Sequence, residues 1–262
     1  MDENKKNALV AKILSSKKYK DYPEKTVRRI VEDMYFKYSE KKLEKQVKNK
    51  LHQISGSFDE SGKIFKHLDF AGALSSNLIR SVLETHSSTR ERMPFLEEFY
   101  SDLFKVTGNL ISVLDIGCGL NPLALLVVHS SIATYTGVEI NGTLVKINNF
   151  VLQKAQKKTR FNILHNNVFD SSILKPRYDL VLLFKMMQVL DLIENNGGEK
   201  VIGSLDSRYF ALSFPILSLS GKQVGMKNFY QNYLEKLSKK QNLKTIFYKE
   251  YKNEVLYVLE RG

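Results

Sequence analysis

The chain has 262 residues, 43% of them hydrophobic, which is enough to bury a substantial core. Its formal net charge of +12 and its pI near 9.5 favour a polyanionic partner. The single cysteine, Cys118, excludes an intrachain disulfide framework and a cysteine-built zinc site, so we expect no metal. No apolar run approaches the roughly 20 residues that span a bilayer, and the first residues are charged. We expect a cytoplasmic protein, without membrane contact.

The positive charge is concentrated at the N-terminal end. The first 50 residues contain 15 Lys and Arg but only 8 Asp and Glu. Tyr19 and Tyr22 interleave with the first basic cluster and would offer stacking surface beside phosphate contacts. Charged runs are more often solvated helix faces, and that reading stays open. The candidate RNA-binding residues are Lys17, Lys18, Lys20, Arg28 and Arg29.

Up to about residue 108 the apolar residues recur at helical spacing. Pro23 suits the first turn of a helix, and Leu43, Val47 and Leu51 form one stripe of another, which ends near residue 56. Further helices are predicted over residues 69–84 and 90–105. We therefore predict an all-helical region over residues 1–108, which precedes a second domain over residues 109–262.

From residue 111 the period changes, and apolar β-rich runs alternate with longer segments, as parallel βαβ units require. The last two runs are separated by only two residues, which is hairpin spacing. Five parallel strands and a terminal hairpin match the seven-stranded sheet of an α/β, class I (Rossmann-like) methyltransferase. The predicted strands are Ile111–Gly117, Thr134–Ile140, Phe161–Asn167, Tyr178–Phe184, Arg208–Phe214, Lys244–Tyr251 and Glu254–Leu259.

The strongest chemical signal is the segment from Val113 to Pro122, where a buried strand runs through a glycine turn into a helix. Gly117 and Gly119 allow the backbone to approach a ligand closely. We predict that Asn121 caps the helix and that Pro122 takes its first position. Such a turn lies at the carboxyl edge of a parallel sheet, where ligands of these folds bind.

Acidic and amide residues follow at the ends of the next strands. Glu139 is placed to accept hydrogen bonds from both ribose hydroxyls of an adenosine-bearing cofactor, and Asn167 to bind the adenine amino edge through its amide oxygen. A nicotinamide dehydrogenase shares this order, but Pro122 stands where its third glycine is expected. Cys118 is interpreted as a small loop residue rather than a nucleophile.

Several motifs in this order resemble the Arm/Rmt family of aminoglycoside-resistance methyltransferases, which modify guanine N7 at nucleotide 1405 of 16S rRNA. The resemblance is strongest in G-C-G-L-N-P-L-A-L at residues 117–125 and in H-S-S-T-R-E-R at residues 86–92. It extends to residues 16–30, to Phe184-Lys185, to Ser213-Phe214-Pro215 and to Gly225-Met226.

The resemblance implies S-adenosylmethionine-dependent methylation of 16S rRNA within the assembled 30S subunit, by an enzyme that acts as a monomer and confers aminoglycoside resistance. It implies that Arg92 contacts the methionyl carboxylate and that Lys185, the candidate catalytic residue, lies where cofactor and target base meet. The full set of candidate cofactor-binding residues is Arg92, Asp115, Gly117, Gly119, Glu139, Ile140, Asn167, Val168 and Phe184.

The chain departs from the family at three positions. The family usually has Asp where this chain has Glu139 and Asn167, and often has Arg at the position of Leu217. Two further classes of function remain open: a methyltransferase of this fold that acts on another rRNA base, and a non-catalytic ribosome-binding protein with a degenerate methyltransferase fold. Guanine N7 carries a lone pair and no proton, so its methylation needs no general base.

Overall fold

The computed structural model of the protein describes residues 3–55, 74–128, 130, 132–155, 158–216 and 226–262. Within residues 3–55 the chain forms α1 (Glu3–Leu14), α2 (Glu24–Tyr35) and α3 (Glu40–Ser55). Pro23 stands immediately before α2, one position earlier than predicted. The predicted apolar stripe of α3 is buried against α1 and α2. The start of the helix predicted at residue 69, and Leu217, Lys222 and Gly225, lie outside the described residues.

Between residues 74 and 107 the chain forms shorter helices than predicted. They are α4 (Ser76–Glu84), α5 (Ser87–Arg92), a single 3₁₀ turn at Met93–Phe95, and α6 (Leu96–Thr107). The prediction of one continuous helix over residues 90–105 is wrong. Pro94 sits in the 3₁₀ turn, and a proline has no N–H to donate the hydrogen bond that a continuous helix needs at that position.

A seven-stranded sheet forms the centre of the rest of the chain, with strand order β3-β2-β1-β4-β5-β7-β6. The first five strands are parallel, β7 runs antiparallel to β5, and β6 pairs antiparallel with β7. The strands are β1 (Ser112–Ile116), β2 (Thr134–Glu139), β3 (Arg160–His165), β4 (Tyr178–Phe184), β5 (Ser207–Pro215), β6 (Leu243–Glu250) and β7 (Glu254–Arg261). All seven were predicted, and their ends differ by at most two residues.

Helices connect the parallel strands and cover both faces of the sheet. They are α7 (Asn121–Val127), α8 (Gly142–Lys154), α9 (Ser171–Leu174), α10 (Met187–Ile193), α11 (Gly197–Ser204) and α12 (Met226–Gln241). Successive strand residues point to opposite faces, so Val113 belongs to one buried cluster and Leu114 to the other. Because β1 to β5 run in parallel, their carboxyl ends meet at one edge of the sheet.

The packing does not follow the predicted boundary at residue 108. Buried residues of α4 and α6, such as Leu83 and Phe99, share one hydrophobic cluster with β1, β2 and α7. The helices α1 to α3 form a separate cluster, which includes Ile193 of α10 and contacts Ile140 and Phe169. The described helices before residue 108 therefore belong to two buried clusters, and α1 to α3 pack against α10 and the segments after β2 and β3.

None of the helices in the described ranges has the length and apolarity that a membrane crossing demands. The described residues also contain no cluster of three or more His, Cys, Asp or Glu side chains able to hold a metal ion.

The three-helix cluster predicts a clear stability effect. Leu51 is fully buried between the helices, so Leu51→Ala should lower the free energy of unfolding by about 2–5 kcal/mol, through lost burial and the cavity that remains. Urea unfolding followed by circular dichroism measures this. Leu192→Ala is the matched control, since that side chain is 37% exposed and should lose less than about 0.5 kcal/mol. Equal losses in the two variants would contradict the assignment.

Candidate cofactor cleft

The turn after β1 presents bare backbone to the carboxyl edge of the sheet. Gly117 and Gly119 have φ angles of 67° and 49°, in the left-handed region that favours glycine. The N–H groups of Gly117 and Cys118 both donate to the carbonyl oxygen of Val138, at 2.8 and 3.1 Å. A Cβ on Gly117 would lie 2.3 Å from the sulfur of Met186. The turn is therefore fixed to β2, and its glycines are required, as predicted.

Asn121 has a different role from the one predicted. It is the first residue of α7 and not its cap, and Leu120 holds the cap position without a side-chain hydrogen bond. The Asn121 amide nitrogen donates to Asp115 Oδ2 at 2.9 Å, while its amide oxygen accepts a hydrogen bond from Arg92 Nη1 at 3.1 Å. An amide suits this position because it donates and accepts at once. Pro122 lies in the first turn, at the second position of the helix and one later than predicted.

Asp115, a predicted cofactor-binding residue, lies outside the cleft wall. Its carboxylate is fully buried, and Oδ2 accepts hydrogen bonds from the Asn121 amide and the Tyr135 hydroxyl. Burial raises the pKa of Asp115 to about 7, although these two hydrogen bonds act in the opposite direction. Asp115 therefore connects α7 to β2 through these two hydrogen bonds.

Glu139 closes the turn from the end of β2. Its two carboxylate oxygens accept backbone hydrogen bonds, Oε2 from Gly119 at 2.9 Å and Oε1 from Asn141 at 2.8 Å. The side chain lines the cleft and is 7% exposed. Burial raises the pKa of Glu139, and the backbone donors partly offset that rise. Each oxygen keeps a further lone pair, so the carboxylate can still accept the two ribose hydroxyls.

Asn167 and its neighbours form another wall, after β3. The Asn167 amide oxygen accepts the backbone N–H of Phe169 at 3.0 Å, and the Asn167 N–H donates to Asn166 Oδ1 at 2.7 Å. The predicted adenine contact through that oxygen must therefore use its second lone pair. Val168 and Ile140 supply apolar surface on the same side.

A buried ion pair joins Arg92, at the end of α5, to Glu254, at the start of β7. Arg92 Nε and Nη2 donate to the two Glu254 oxygens at 3.1 and 2.5 Å, and neither side chain is more than 1% exposed. The guanidinium carbon lies 4.6 and 4.7 Å from the ring centroids of Phe99 and Phe184, two rings that contact each other edge to face. Burial favours the neutral acid, but the charges of Arg92 and Lys185 hold the pKa of Glu254 below its ordinary value. Sequence patterns missed Glu254, which lies 162 residues from its partner.

Lys185 follows β4 with a φ of 58°, a left-handed conformation that non-glycine residues rarely adopt. Its backbone N–H donates to both the carbonyl and the hydroxyl oxygen of Ser213 on β5, which fixes this conformation. The ammonium group lies 2.6 Å from Glu91 and 3.7 Å from Glu254. Backbone strain of this kind clusters at functional sites, and here it directs a lysine into the cleft wall.

The cleft wall also contains His86 and Cys118. Burial, with the nearby charges of Arg92 and Lys185, lowers the pKa of His86 to about 4, so the ring is neutral at neutral pH. A Cβ on Gly119 would lie 3.0 Å from that ring. Burial raises the pKa of Cys118 well above its ordinary value, which keeps the thiol protonated. Both residues therefore act as packing around the glycine turn, and for Cys118 this agrees with the sequence interpretation.

These features surround one cleft of about 910 Å³, counting the open solvent at its mouth. Ile54 of α3 and Ile193 of α10 complete its wall beside the residues after β3, so the N-terminal helices help to form it. The predicted site residues that line it are Arg92, Gly117, Gly119, Glu139, Ile140, Asn167, Val168, Phe184 and Lys185.

The basic and aromatic residues of the N-terminal helices differ in their exposure. Lys17, Lys18 and Lys20 are exposed, in the segment between α1 and α2. The prediction that Tyr19 and Tyr22 offer stacking surface is wrong, because both rings are buried. They pack edge to face in the three-helix cluster, 5.7 Å apart.

Arg28 and Arg29 differ although they are adjacent. Arg28 stays within the N-terminal helices and pairs with Glu24 at 2.7 Å. Arg29 reaches across to the sheet domain, where its guanidinium pairs with Glu194 at 2.5 Å and lies 4.5 Å above the ring of Phe169. Phe169 is the residue whose N–H holds the Asn167 side chain. Arg29 therefore supports the wall after β3.

Comparison with known proteins agrees with this geometry. Residues 15–258 match the family model described as ribosomal RNA methyltransferase (FmrO). The chain belongs to this family. A 16S rRNA (guanine(1405)-N(7))-methyltransferase of Serratia marcescens is 32% identical, with 87% of this chain and 88% of that protein covered. A protein of the same name from Proteus mirabilis is 26% identical, with 99% of both covered.

Solved structures lead to the same FmrO-family fold. The 16S rRNA methyltransferase RmtF, crystallised in complex with S-adenosyl-L-homocysteine, superposes with a TM-score of 0.83 at 28% identity, over the full length of both chains. The 16S rRNA methylase RmtB gives a TM-score of 0.79 at 28% identity over 98% of each chain. The predicted family, fold and enzyme class are confirmed.

The geometry at Glu139 predicts a loss of cofactor affinity. Glu139→Ala should weaken S-adenosylmethionine binding about tenfold to several hundredfold, because it removes acceptors for the ribose hydroxyls and frees the N–H groups that fix the turn. Titration calorimetry measures the change. Glu139→Asp, which keeps the charge and introduces the residue usual in the Arm/Rmt family, should retain most of the affinity. Unchanged binding by the alanine variant would refute the ribose assignment.

The contact between Arg29 and Phe169 predicts that an N-terminal residue affects cofactor affinity. Arg29→Ala should weaken S-adenosylmethionine binding about threefold to tenfold, the size expected for losing a partly exposed ion pair and a cation–π contact. Arg28→Ala is the matched control and should bind cofactor normally. Equal effects of the two substitutions in calorimetry would show a general loss of packing instead.

Proposed function

We propose that this protein transfers a methyl group from S-adenosylmethionine to N7 of guanine 1405 in 16S rRNA, within the 30S subunit. One observation carries the proposal: an FmrO-family cleft presents a strained lysine, Lys185, beside a glycine turn, and the histidine in its wall is a poor base. This combination suits a nucleophile that carries no proton. Relatives named for this reaction match nearly the whole chain.

The residues of the cleft fit the proposed cofactor. Glu139 would take the ribose hydroxyls, and Asn167 with Val168 would take the adenine. A guanidinium has five N–H donors, and the contacts of Arg92 with Glu254 and Asn121 use three of them. Arg92 therefore retains donors for the methionyl carboxylate. Bound in this cleft, S-adenosylmethionine supplies a methyl group on a positively charged sulfur.

Catalysis is then mostly placement. The guanine N7 lone pair attacks the methyl carbon directly, and alignment of the two atoms can supply several kcal/mol of the barrier reduction. The glycine turn and the wall after β3 orient one partner, and Lys185 orients the other by donating to guanine O6 or to a backbone phosphate. To do so, Lys185 must exchange its ion pair with Glu91, which is half exposed. No proton has to be removed from N7.

The N-terminal charge supports docking on the assembled subunit. Lys17, Lys18 and Lys20 are exposed beside α1, and Arg28 lies on the same three-helix unit. Cations on this unit would contact rRNA phosphates while the cleft receives the base. The reaction would then take place in the cytoplasm, by a monomer, and would protect the decoding site from the aminoglycosides that bind there.

The decisive experiment uses purified 30S subunits, naked 16S rRNA and labelled cofactor. Primer extension after chemical cleavage at 7-methylguanine should stop at nucleotide 1405 in subunits, with little product on naked RNA. Product at another base would support a methyltransferase with a different target. Cofactor binding without any product on 30S subunits, 50S subunits or rRNA would contradict the proposal. Absence of cofactor binding would identify a degenerate, non-catalytic fold.

Lys185→Ala should slow single-turnover methylation of 30S subunits about a hundredfold, the usual loss when one oriented donor is removed from a partly dry site. The fold and the cofactor affinity should remain close to wild type, because the Lys185 side chain contacts Glu91 and Glu254 rather than the glycine turn. Lys240→Ala, which removes a lysine paired with Glu199 at the surface, is the control and should react normally. A normal rate in Lys185→Ala would exclude the catalytic role. A parallel fall in rate and cofactor affinity would make Lys185 a cofactor ligand.

A further inference from the structure

The loop between α2 and α3 carries two exposed aromatic side chains. We call residues 36–39, Phe36-Lys37-Tyr38-Ser39, the aromatic tip. Phe36 is 80% exposed and Tyr38 is 40% exposed. A single exposed apolar residue is ordinary on a protein surface. Here two exposed rings flank Lys37 at the end of the basic three-helix unit, so aromatic and positively charged groups occur together on one surface.

The aromatic tip is held in a defined conformation. The Lys37 N–H donates to the Met34 carbonyl oxygen at 3.0 Å, and the Lys37 ammonium donates to Asp33 at 2.7 Å. Lys50 of α3 binds the other Asp33 oxygen at 2.8 Å, which ties the two helices together behind the loop. The Tyr35 ring meets Phe36 edge to face, with centroids 5.7 Å apart. A fixed ring loses little conformational freedom when it binds.

The charge around the tip indicates the chemistry of its partner. Lys41 and Lys42, in the first turn of α3, are exposed, and Lys45 is exposed one turn further. Cations beside an exposed ring are the combination that binds unpaired nucleotides, because the ring stacks on a base while the lysines contact phosphates. A second copy of this chain would bring the same positive charge and be repelled.

The position of the tip relative to the cleft is fixed by α3. The tip precedes Glu40 at one end of this helix, and Ile54 lines the cleft near the other end. At 1.5 Å per residue the two points lie about 20 Å apart. The tip therefore contacts a part of the substrate other than the base in the cleft.

We propose that the aromatic tip stacks, through Phe36, on an unpaired base of 16S rRNA about 20 Å from the point where Ile54 lines the cleft. The proposal rests on the proposed function, since it takes 16S rRNA in the 30S subunit as the substrate. It replaces the stacking surface that the sequence suggests at Tyr19 and Tyr22. Phe36 is then a binding residue for the subunit and has no role in cofactor binding or methyl transfer.

The test measures binding of the full-length protein to 30S subunits over a range of salt concentrations. Phe36→Ala should weaken binding about tenfold at every salt concentration, as expected for one lost stacking contact, and should leave the dependence on salt unchanged. Lys41→Ala should reduce the slope of log affinity against log salt by about one, because it removes a phosphate contact. Phe36→Trp should restore affinity, whereas Phe36→Leu, which is apolar without a π face, should not.

Ile111→Ala is the matched control, because Ile111 is 70% exposed at the start of β1, at the opposite edge of the sheet from the cleft. Its subunit affinity should equal that of wild type. Rescue of Phe36→Ala by leucine would overturn stacking in favour of an apolar contact with a protein. Wild-type affinity in Phe36→Ala would overturn the proposal outright.

A photo-crosslinker in place of Phe36 gives an independent readout. Crosslinks to an unpaired 16S rRNA nucleotide support the proposal, and crosslinks to a ribosomal protein or to a second copy of the chain overturn it. Methylation by the wild-type protein is scored in the same preparation. Absence of methylation by the wild-type protein would count against the proposed function. Normal methylation together with wild-type subunit affinity in Phe36→Ala would count only against the stacking role of the aromatic tip.

Discussion

The buried pair of Arg92 and Glu254 is the contact on which the cleft depends. It joins α5 to β7, the last strand in the chain, and it places the Arg92 guanidinium in the wall of the cleft that also contains the glycine turn. Two charges buried this deeply are costly to desolvate, and each would be strongly destabilising without the other. Two aromatic rings, Phe99 and Phe184, pack edge to face and both contact the guanidinium. The position of this cation in the cleft is therefore set by packing from both ends of the chain.

From this pair a continuous set of polar contacts extends into the turn. Arg92 donates to Asn121, Asn121 donates to Asp115, and Asp115 accepts the hydroxyl of Tyr135 on the neighbouring strand. Each member donates or accepts in the only direction that its neighbour allows, which makes the network specific to these residue types. Glu254 also lies within 3.7 Å of the Lys185 ammonium. The same carboxylate thus contacts Arg92 and Lys185, two cations of the cleft wall.

Local patterns in the sequence were sufficient for the sheet and for the glycine turn. Strand alternation, the paired glycines and the acid at the end of β2 depend on residues close in sequence, and all three were predicted. Contacts between distant segments leave no such pattern. In the sequence, Glu254 looks like an ordinary charge at a strand end, and Arg29 looks like one more cation. Tyr19 and Tyr22 look like exposed aromatic residues. Only the folded structure shows the distant residues that each of them contacts. The same is true of α4 and α6, which look like part of the N-terminal unit but complete the core of the sheet.

Ile54 belongs to the N-terminal helices and yet forms part of the cleft wall. Under the proposed function, the surface that meets the ribosome and the surface that meets the cofactor are two sides of one small helical unit. Thermodynamic linkage requires that any coupling between two binding sites be reciprocal. If the subunit steadies these helices, it must tighten the cofactor by the same factor that the cofactor tightens the subunit. Conversion of the bound methyl donor to its demethylated product would then change the affinity for the ribosome. Methyl transfer and release of the subunit would therefore be coupled.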